Sequence, residues 1–95
     1  MTAYIIVDVE VTDVAKFAAY TALAPEAIAA NGGRYLVRGG EMAVLEGDWS
    51  PQRVVVLEFP DMAAAKAFYA SPIYQRAMLA RHGAAILKMV AVAGI

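Results

Sequence analysis

Three segments of the sequence carry apolar residues at both odd and even positions, and this pattern limits the possible folds more than any other feature. The segments are residues 3–11, 52–59 and 86–92, each rich in β-branched side chains. Such segments, bounded by turn or capping residues, are typical of β-strands. Because side chains alternate between the two faces of a strand, strands that are apolar at both parities need cover on both faces. The sequence therefore predicts a sheet with no fully solvated face.

Helical patterns separate these strands. Thr12 and Asp13 are candidate N-caps of a first helix that ends at the Asn31-Gly32-Gly33 stop. Pro25 within this helix predicts a kink or two short helices. Pro60-Asp61 ends the next strand and caps a helix over residues 62–70. The Ser71-Pro72 pair then opens a further helical stretch to about residue 82.

The remaining segments complete a recognisable element order. Residues 33–38 and 42–46 read as strands, and residues 47–51 form a loop rich in turn residues. The order β-α-β-β-α-β predicts an α+β, ferredoxin-like fold, with an antiparallel sheet and both helical regions on one face. We expect one domain over residues 1–95. The second face of the sheet is then uncovered, so we predict a homodimer with sheet face packed against sheet face.

Composition excludes several classes of function. The chain is 61% hydrophobic and has a net charge of -1, from eight Lys plus Arg and nine Asp plus Glu. It therefore lacks the basic field that attracts nucleic acid. One histidine and no cysteine supply too few ligands for a usual zinc or haem-iron site, so we predict no metal and no cofactor. No apolar run is long enough for a membrane span, and we expect a cytoplasmic protein without a membrane partner.

Two arginines in the second strand are candidate ligand-binding residues. Arg34 and Arg38 lie four residues apart, so on a regular strand both point to the same face. A guanidinium offers a planar fork that matches carboxylates and phosphates. Arg53 could join this cluster, whereas we expect Arg81 at the surface. The alternative is an ion pair with Glu46, Glu58 or Asp8 that only holds the sheet or the dimer together.

Acidic and aromatic residues supply the other candidates. Glu46 lies close to Trp49, where apolar neighbours can raise the proton affinity of a carboxylate, so Glu46 is a candidate catalytic base. The alternative is that Glu46 belongs to a turn whose acidic side chains cap backbone amides. Trp49 can stack on a planar ligand or fill the dimer interface. Tyr69 and Tyr74 flank the joint between the last two helices and are candidates for a pocket mouth, with core packing as the alternative.

Several motifs together resemble a known family. They are Gly32-Gly33-Arg34-Tyr35-Leu36-Val37-Arg38-Gly39-Gly40, Leu45-Glu46-Gly47-Asp48-Trp49, Arg53-Val54-Val55-Val56, Glu58-Phe59-Pro60 and Tyr69-Ala70-Ser71-Pro72-Ile73-Tyr74-Gln75 with Arg81. In this combination the chain resembles the small bacterial family known as domain of unknown function 1330. The resemblance implies a dimeric α/β-barrel fold. It implies no established activity, because the family's name records that none has been assigned.

Two classes of function follow from these observations. The first is a protein that binds or transforms a small anionic, partly apolar organic molecule in a pocket between sheet and helices of a homodimer. The second is a non-catalytic structural homodimer whose arginines and Trp49 only stabilise the interface. A pocket with convergent polar groups would favour the first class. Arginines fully paired with carboxylates would favour the second.

Overall fold

The computed structural model describes all 95 residues and has the β-α-β-β-α-β order predicted from the sequence. Strand β1 spans Ala3–Val11, helix α1 Val14–Ala30, strand β2 Arg34–Arg38 and strand β3 Arg53–Phe59. Helix α2 spans Met62–Ala70, helix α3 Pro72–Ala80 and strand β4 Ala85–Ala93. The ferredoxin-like fold class is confirmed.

The four strands form one antiparallel sheet in the order β2-β3-β1-β4. On β1, the buried positions alternate with half-buried ones, so one face of the sheet packs against the helices. The core on that helix-covered face includes Ile5, Phe17, Phe59, Phe68 and Tyr74. The other face, which we call the open face, carries no helix.

Helix caps explain where the helices begin. The Asp13 side chain accepts a hydrogen bond from the Lys16 N–H at 3.0 Å, and Asp61 does the same for Ala64 at 2.8 Å. The Ser71 hydroxyl accepts from the Tyr74 N–H, and Pro72 occupies the first turn of α3, where its missing N–H costs no helical bond. The same Ser71 therefore ends α2 and starts α3.

One of the two alternatives predicted at Pro25 is wrong, and so is the short strand predicted over residues 42–46. Helix α1 runs through Pro25 as a single helix of 17 residues, so the alternative of two short helices does not hold. Proline removes one hydrogen bond, whereas Phe17 and Ile28 on either side of it pack into the same core and hold both halves in one helix. Residues 42–46 form no strand, because no neighbouring strand pairs with them and the whole stretch is exposed.

The open face is apolar over much of its area. Cross-strand partners lie on the same face, and the register places Ile6, Val54, Val56, Val90 and Val92 there. Val90 and Val92 are exposed. The exposed loop of residues 39–52 reaches this face through Trp49, whose indole donates a hydrogen bond to Asp8 at 2.9 Å. In addition, no helix of the chain has the length and apolar character needed to cross a membrane.

Candidate functional site

A β-bulge in β2 determines which face each arginine occupies. Arg34 pairs with Glu58 and Tyr35 with Leu57, but Val37 then pairs with Val56, so Leu36 is the extra residue. Without a bulge, Arg34 and Arg38 would share a face. With it, Arg34 lies on the open face and Arg38, opposite Val55, lies on the helix-covered face. The expectation that both arginines point to the same face is wrong.

Arg34 forms the only salt bridge in the chain. Its Nε donates to the Glu58 carboxylate at 2.7 Å across the two strands, and this contact raises the pKa of the guanidinium. The Arg34 side chain is mostly exposed, so the pair adds little to stability. Arg34 thus has the carboxylate partner that a purely structural role would give it.

Arg38 and Arg53 have no acidic partner. The Arg38 guanidinium lies over the Tyr35 ring, 4.4 Å from its centre, in a cation–π contact. The Arg53 side chain packs against Gly39, where a Cβ atom would lie 2.8 Å from Nε. Gly39 also has a φ of 72°, which favours glycine at the end of β2. Glycine at this position lets the chain turn while Arg53 stays beside Arg38.

A cavity of about 50 Å³ lies beneath these arginines, between α1 and the sheet. Its walls are predominantly apolar, and its polar members are Tyr20, Thr21, Tyr35, Arg38 and Arg53. Arg38 is exposed and Arg53 is half-buried, so the two cations lie at the solvent end of the cavity. The arrangement suits a molecule that has an anionic group outside and a short apolar group inside.

The tyrosines around the cavity stay protonated at neutral pH. Burial raises the pKa of Tyr20 well above its usual value, and both the charge of nearby Tyr74 and the hydrogen bond to it act in the same direction. Burial also raises the pKa of Tyr35, although Arg38 and Arg53 oppose the shift. These phenols can donate hydrogen bonds, but they are poor bases.

The two predicted pocket tyrosines differ in their surroundings. Tyr74 is fully buried, and its hydroxyl lies 2.9 Å from that of Tyr20 in the seam between α1 and α3. Tyr74 therefore packs in the core, which is the alternative to a position at a pocket mouth. Tyr69 is exposed, and its ring packs against that of Tyr74 in a tilted arrangement with ring centres 5.6 Å apart. It lines a separate groove beside β4.

Glu46 and Trp49 lie on the other side of the sheet from Arg38. Trp49 is 58% exposed and is bonded to Asp8 on the open face. Glu46 is exposed and lies with Trp49 around a groove between the loop and the open face of β2 and β3. The six ligand-binding candidates and Glu46 therefore divide between the two faces instead of forming one site.

Sequence reasoning missed two features. Leu36 follows an ordinary apolar pattern, so nothing in the sequence marks the bulge. Arg81, expected at the surface, is only partly exposed, and its Nε is buried without a hydrogen-bond partner. Its guanidinium lies 5.3 Å from the centre of the Tyr20 ring.

No group of three or more His, Cys, Asp or Glu side chains is placed to hold a metal ion.

The strand order, the helices on one face and the cavity beneath them define an α+β protein of the ferredoxin-like class. Comparison with protein families gives a match over residues 2–95, and the chain belongs to the family described as Domain of unknown function (DUF1330). The sequence matches no curated protein.

Solved structures with the same architecture include two proteins of unknown function and one enzyme. RPA0582 from Rhodopseudomonas palustris has a TM-score of 0.75 and 18% identity, covering 99% of this chain and 82% of that one. SnoaB from Streptomyces nogalater, a cofactor-independent oxygenase, has a TM-score of 0.69 and 15% identity, covering 99% and 93%. A dimeric ferredoxin-like protein from Jannaschia sp. CCS1 has a TM-score of 0.65 and 17% identity, covering 99% and 100%. At these identities the likeness shows the fold alone.

Proposed function

We propose that this chain forms a homodimer through its open sheet faces and binds a small anionic, partly apolar organic molecule at the site of Tyr35, Arg38 and Arg53. One observation carries the proposal: two arginines without acidic partners lie at the solvent end of an apolar cavity. Charged groups in partly enclosed sites are normally paired, and a ligand carboxylate or phosphate would supply the missing partner.

The size of the cavity limits the ligand. Pockets that enclose a drug-sized molecule measure roughly 300–1,000 Å³, whereas this cavity measures about 50 Å³. A short aliphatic group fits inside, and the anion then lies between Arg38 and Arg53. The protonated hydroxyl of Tyr35 can donate a further hydrogen bond. A short-chain carboxylate satisfies all three requirements.

The proposal is for binding and does not include a base at this site. Tyr20 and Tyr35 resist ionisation because they are partly buried, and Glu46 lies on the other side of the sheet. The fold likeness to SnoaB, described as an oxygenase that works without a cofactor, is consistent with a small-molecule site made of side chains alone.

The dimer is supported by the open face. Valines and isoleucines there are exposed, which is unusual for a monomer of this size. Two structural neighbours of unknown function are described as dimeric ferredoxin-like proteins, one from Jannaschia sp. CCS1 and one from Thermobifida fusca YX. A second copy of the same sheet would cover the apolar area.

The alternative is a structural homodimer without a ligand, and two residues favour it. Arg34 is already paired with Glu58, and Trp49 is bonded to Asp8 on the face that would meet the partner. We therefore assign Arg34 and Trp49 to the dimer interface in both alternatives. Whether an anion binds at Arg38 and Arg53 decides between the two alternatives.

A thermal-shift screen with matched variants tests the proposal. Purified protein is screened against short carboxylates, phosphates and aromatic acids, because a ligand at 100 times its dissociation constant stabilises the folded state by about 2.7 kcal/mol. We expect one anion class to raise the melting temperature. Arg38→Ala should abolish the shift, whereas Arg34→Ala, on the same strand but the opposite face, should retain it. No shift with any anion would favour the structural homodimer, whereas equal shifts in both variants would show that the anion binds elsewhere and would overturn the site at Arg38 and Arg53.

A further inference from the structure

A second cavity lies on the helix-covered face, at the edge of the sheet formed by β4. It measures about 460 Å³, within the range of pockets that enclose small molecules. Its floor is the side of the sheet that faces the helices, with Leu87, Met89 and Ala91 of β4. Ala65 of α2 and Ala91 leave the space open, because neither side chain reaches across it. We call this cavity the β4 groove.

The polar residues of the β4 groove include two cations and no acid. Lys66, Tyr69 and Arg81 line it from α2 and from the end of α3. Neither cation takes part in a salt bridge, because the only one in the chain joins Arg34 to Glu58. The groove therefore combines an apolar floor with an uncompensated positive charge.

Arg81 shows most clearly that a partner is missing. Its Nε is buried and has no hydrogen-bond acceptor, which is rare for a charged group in a folded protein. The guanidinium is held by stacking on the Tyr20 ring and not by a carboxylate. The end of α3 carries partial negative charge that favours a cation there, but it leaves Nε unpaired. An anion in the groove would not reach Nε, which is inaccessible, but it would provide the counter-charge to the guanidinium as a whole.

We infer that the β4 groove is a second ligand site, which binds a monocarboxylate with an apolar chain of several carbons. The carboxylate would lie between Arg81 and Lys66 with the Tyr69 hydroxyl as a donor, and the chain would lie on Leu87 and Met89. Leu87 and Met89 line both this groove and the cavity under Arg38 and Arg53, but the cations differ, so the inference does not depend on the first proposal.

The test is an NMR titration of the full-length, ¹⁵N-labelled protein with sodium hexanoate. We expect saturable shifts in the amides of Lys66, Tyr69, Arg81 and Ala91. 1-Hexanol has the same chain without the charge and should bind at least about tenfold more weakly, because a charge-assisted hydrogen bond is lost.

Three variants locate the binding. Arg81→Met should weaken hexanoate binding about tenfold, while Arg76→Met, an exposed arginine on the same helix, should leave it unchanged within about twofold. Because Arg81→Met also removes the contact with Tyr20, Ala91→Leu provides a second test: it fills the groove and leaves every charge in place. We expect Ala91→Leu to abolish saturable shifts at these amides.

Other outcomes separate this inference from the proposed function. Hexanoate shifts confined to Arg38 and Arg53 would overturn the second site and support the first. Shifts centred on the open face, at Val54 and Val90, would overturn it by showing non-specific apolar binding. The absence of any saturable shift would also overturn it, while the thermal-shift screen would still decide the site at Arg38.

Discussion

Tyr20 brings its hydroxyl into the seam between α1 and α3, 2.9 Å from the hydroxyl of Tyr74. Its ring stacks on Phe17 with centres 5.1 Å apart, and the Arg81 guanidinium lies on it. Tyr20 therefore touches the core, the cavity under Arg38 and the side chain that borders the β4 groove. A single side chain thus lines one candidate site and contacts a residue of the other.

Alkaline pH should destabilise the protein through Tyr20. Its pKa is raised in the folded state, so the contribution of this phenol to stability is complete below the unfolded pKa of about 10 and is lost as pH rises above it. Each pH unit above about 10 should cost about 1.4 kcal/mol until the folded phenol ionises. Tyr20→Phe removes this dependence. At neutral pH the variant should lose about 1 kcal/mol, for its bond to Tyr74.

Urea unfolding at pH 8 and pH 11 checks this prediction. We expect wild type to be more stable at pH 8 and the difference to shrink or reverse at pH 11. Comparing the two proteins cancels the titration of lysines and of Tyr35, which both retain. Parallel loss of stability in wild type and Tyr20→Phe would show that Tyr20 ionises freely in the folded state.

Single residues show how far the sequence predicts the site. The guanidinium chemistry of Arg38 and Arg53 could be inferred, because two arginines near a strand that is otherwise apolar need an anion, an acid or water. The placement of Arg38 and Arg53 on the opposite face from Arg34 could not be inferred, because assigning faces by counting residues assumes a strand without a bulge. Whether Tyr74 lies in the core or in a pocket could not be inferred either, because buried and pocket-lining tyrosines have the same local sequence pattern.

At the scale of elements, the bulge in β2 has a specific effect. It leaves Arg34 beside Glu58 on the open face and turns Arg38 towards α1. The backbone N–H of Gly39 then donates to the Val54 carbonyl at 3.0 Å, which continues the shifted register past the end of the strand. One strand of five residues thus supplies a cation to each face of the sheet.

Engineered cysteines can verify this register, since the natural chain contains none. In the Arg38→Cys/Val55→Cys protein the two residues are direct cross-strand partners on one face, and we expect a disulfide to form on mild oxidation. In the Arg38→Cys/Val54→Cys protein the side chains point to opposite faces and should stay reduced. Gel mobility and peptide mapping distinguish the two states. The reverse result would mean a regular strand with both arginines on the open face.

Most element boundaries could be predicted because local signals agreed with the tertiary structure. Asp13, Asp61 and Ser71 cap the helices as expected. The failures lie where tertiary context outweighs local preference. Core packing keeps α1 continuous at Pro25, and residues 42–46 have strand-like side chains but no strand beside them.

On the scale of the whole molecule, the open face and the loop of residues 39–52 belong together. Met42, Val44, Leu45 and Trp49 of this loop are exposed, as are Ile86, Val90 and Val92 of β4. None of the three helices covers them, because all three pack on the other face of the sheet. The exposed apolar surface lies on the open side of the sheet, opposite both candidate ligand sites, so dimerisation through it would leave the helices free.

A charge on the open face should therefore separate the dimer. Val90 is 57% exposed in the single chain, and Val90→Lys would bury an unpaired ammonium in a sheet-to-sheet interface, which costs several kcal/mol. Leu79→Lys is the matched control, because Leu79 is even more exposed, at 77%, but lies on α3 away from the open face. In sedimentation equilibrium, we expect a dimer for wild type and Leu79→Lys and a monomer for Val90→Lys. If Val90→Lys stays dimeric while Leu79→Lys dissociates, the copies associate through the helices, and Arg34 and Trp49 are then solvent-facing residues with no part in the interface.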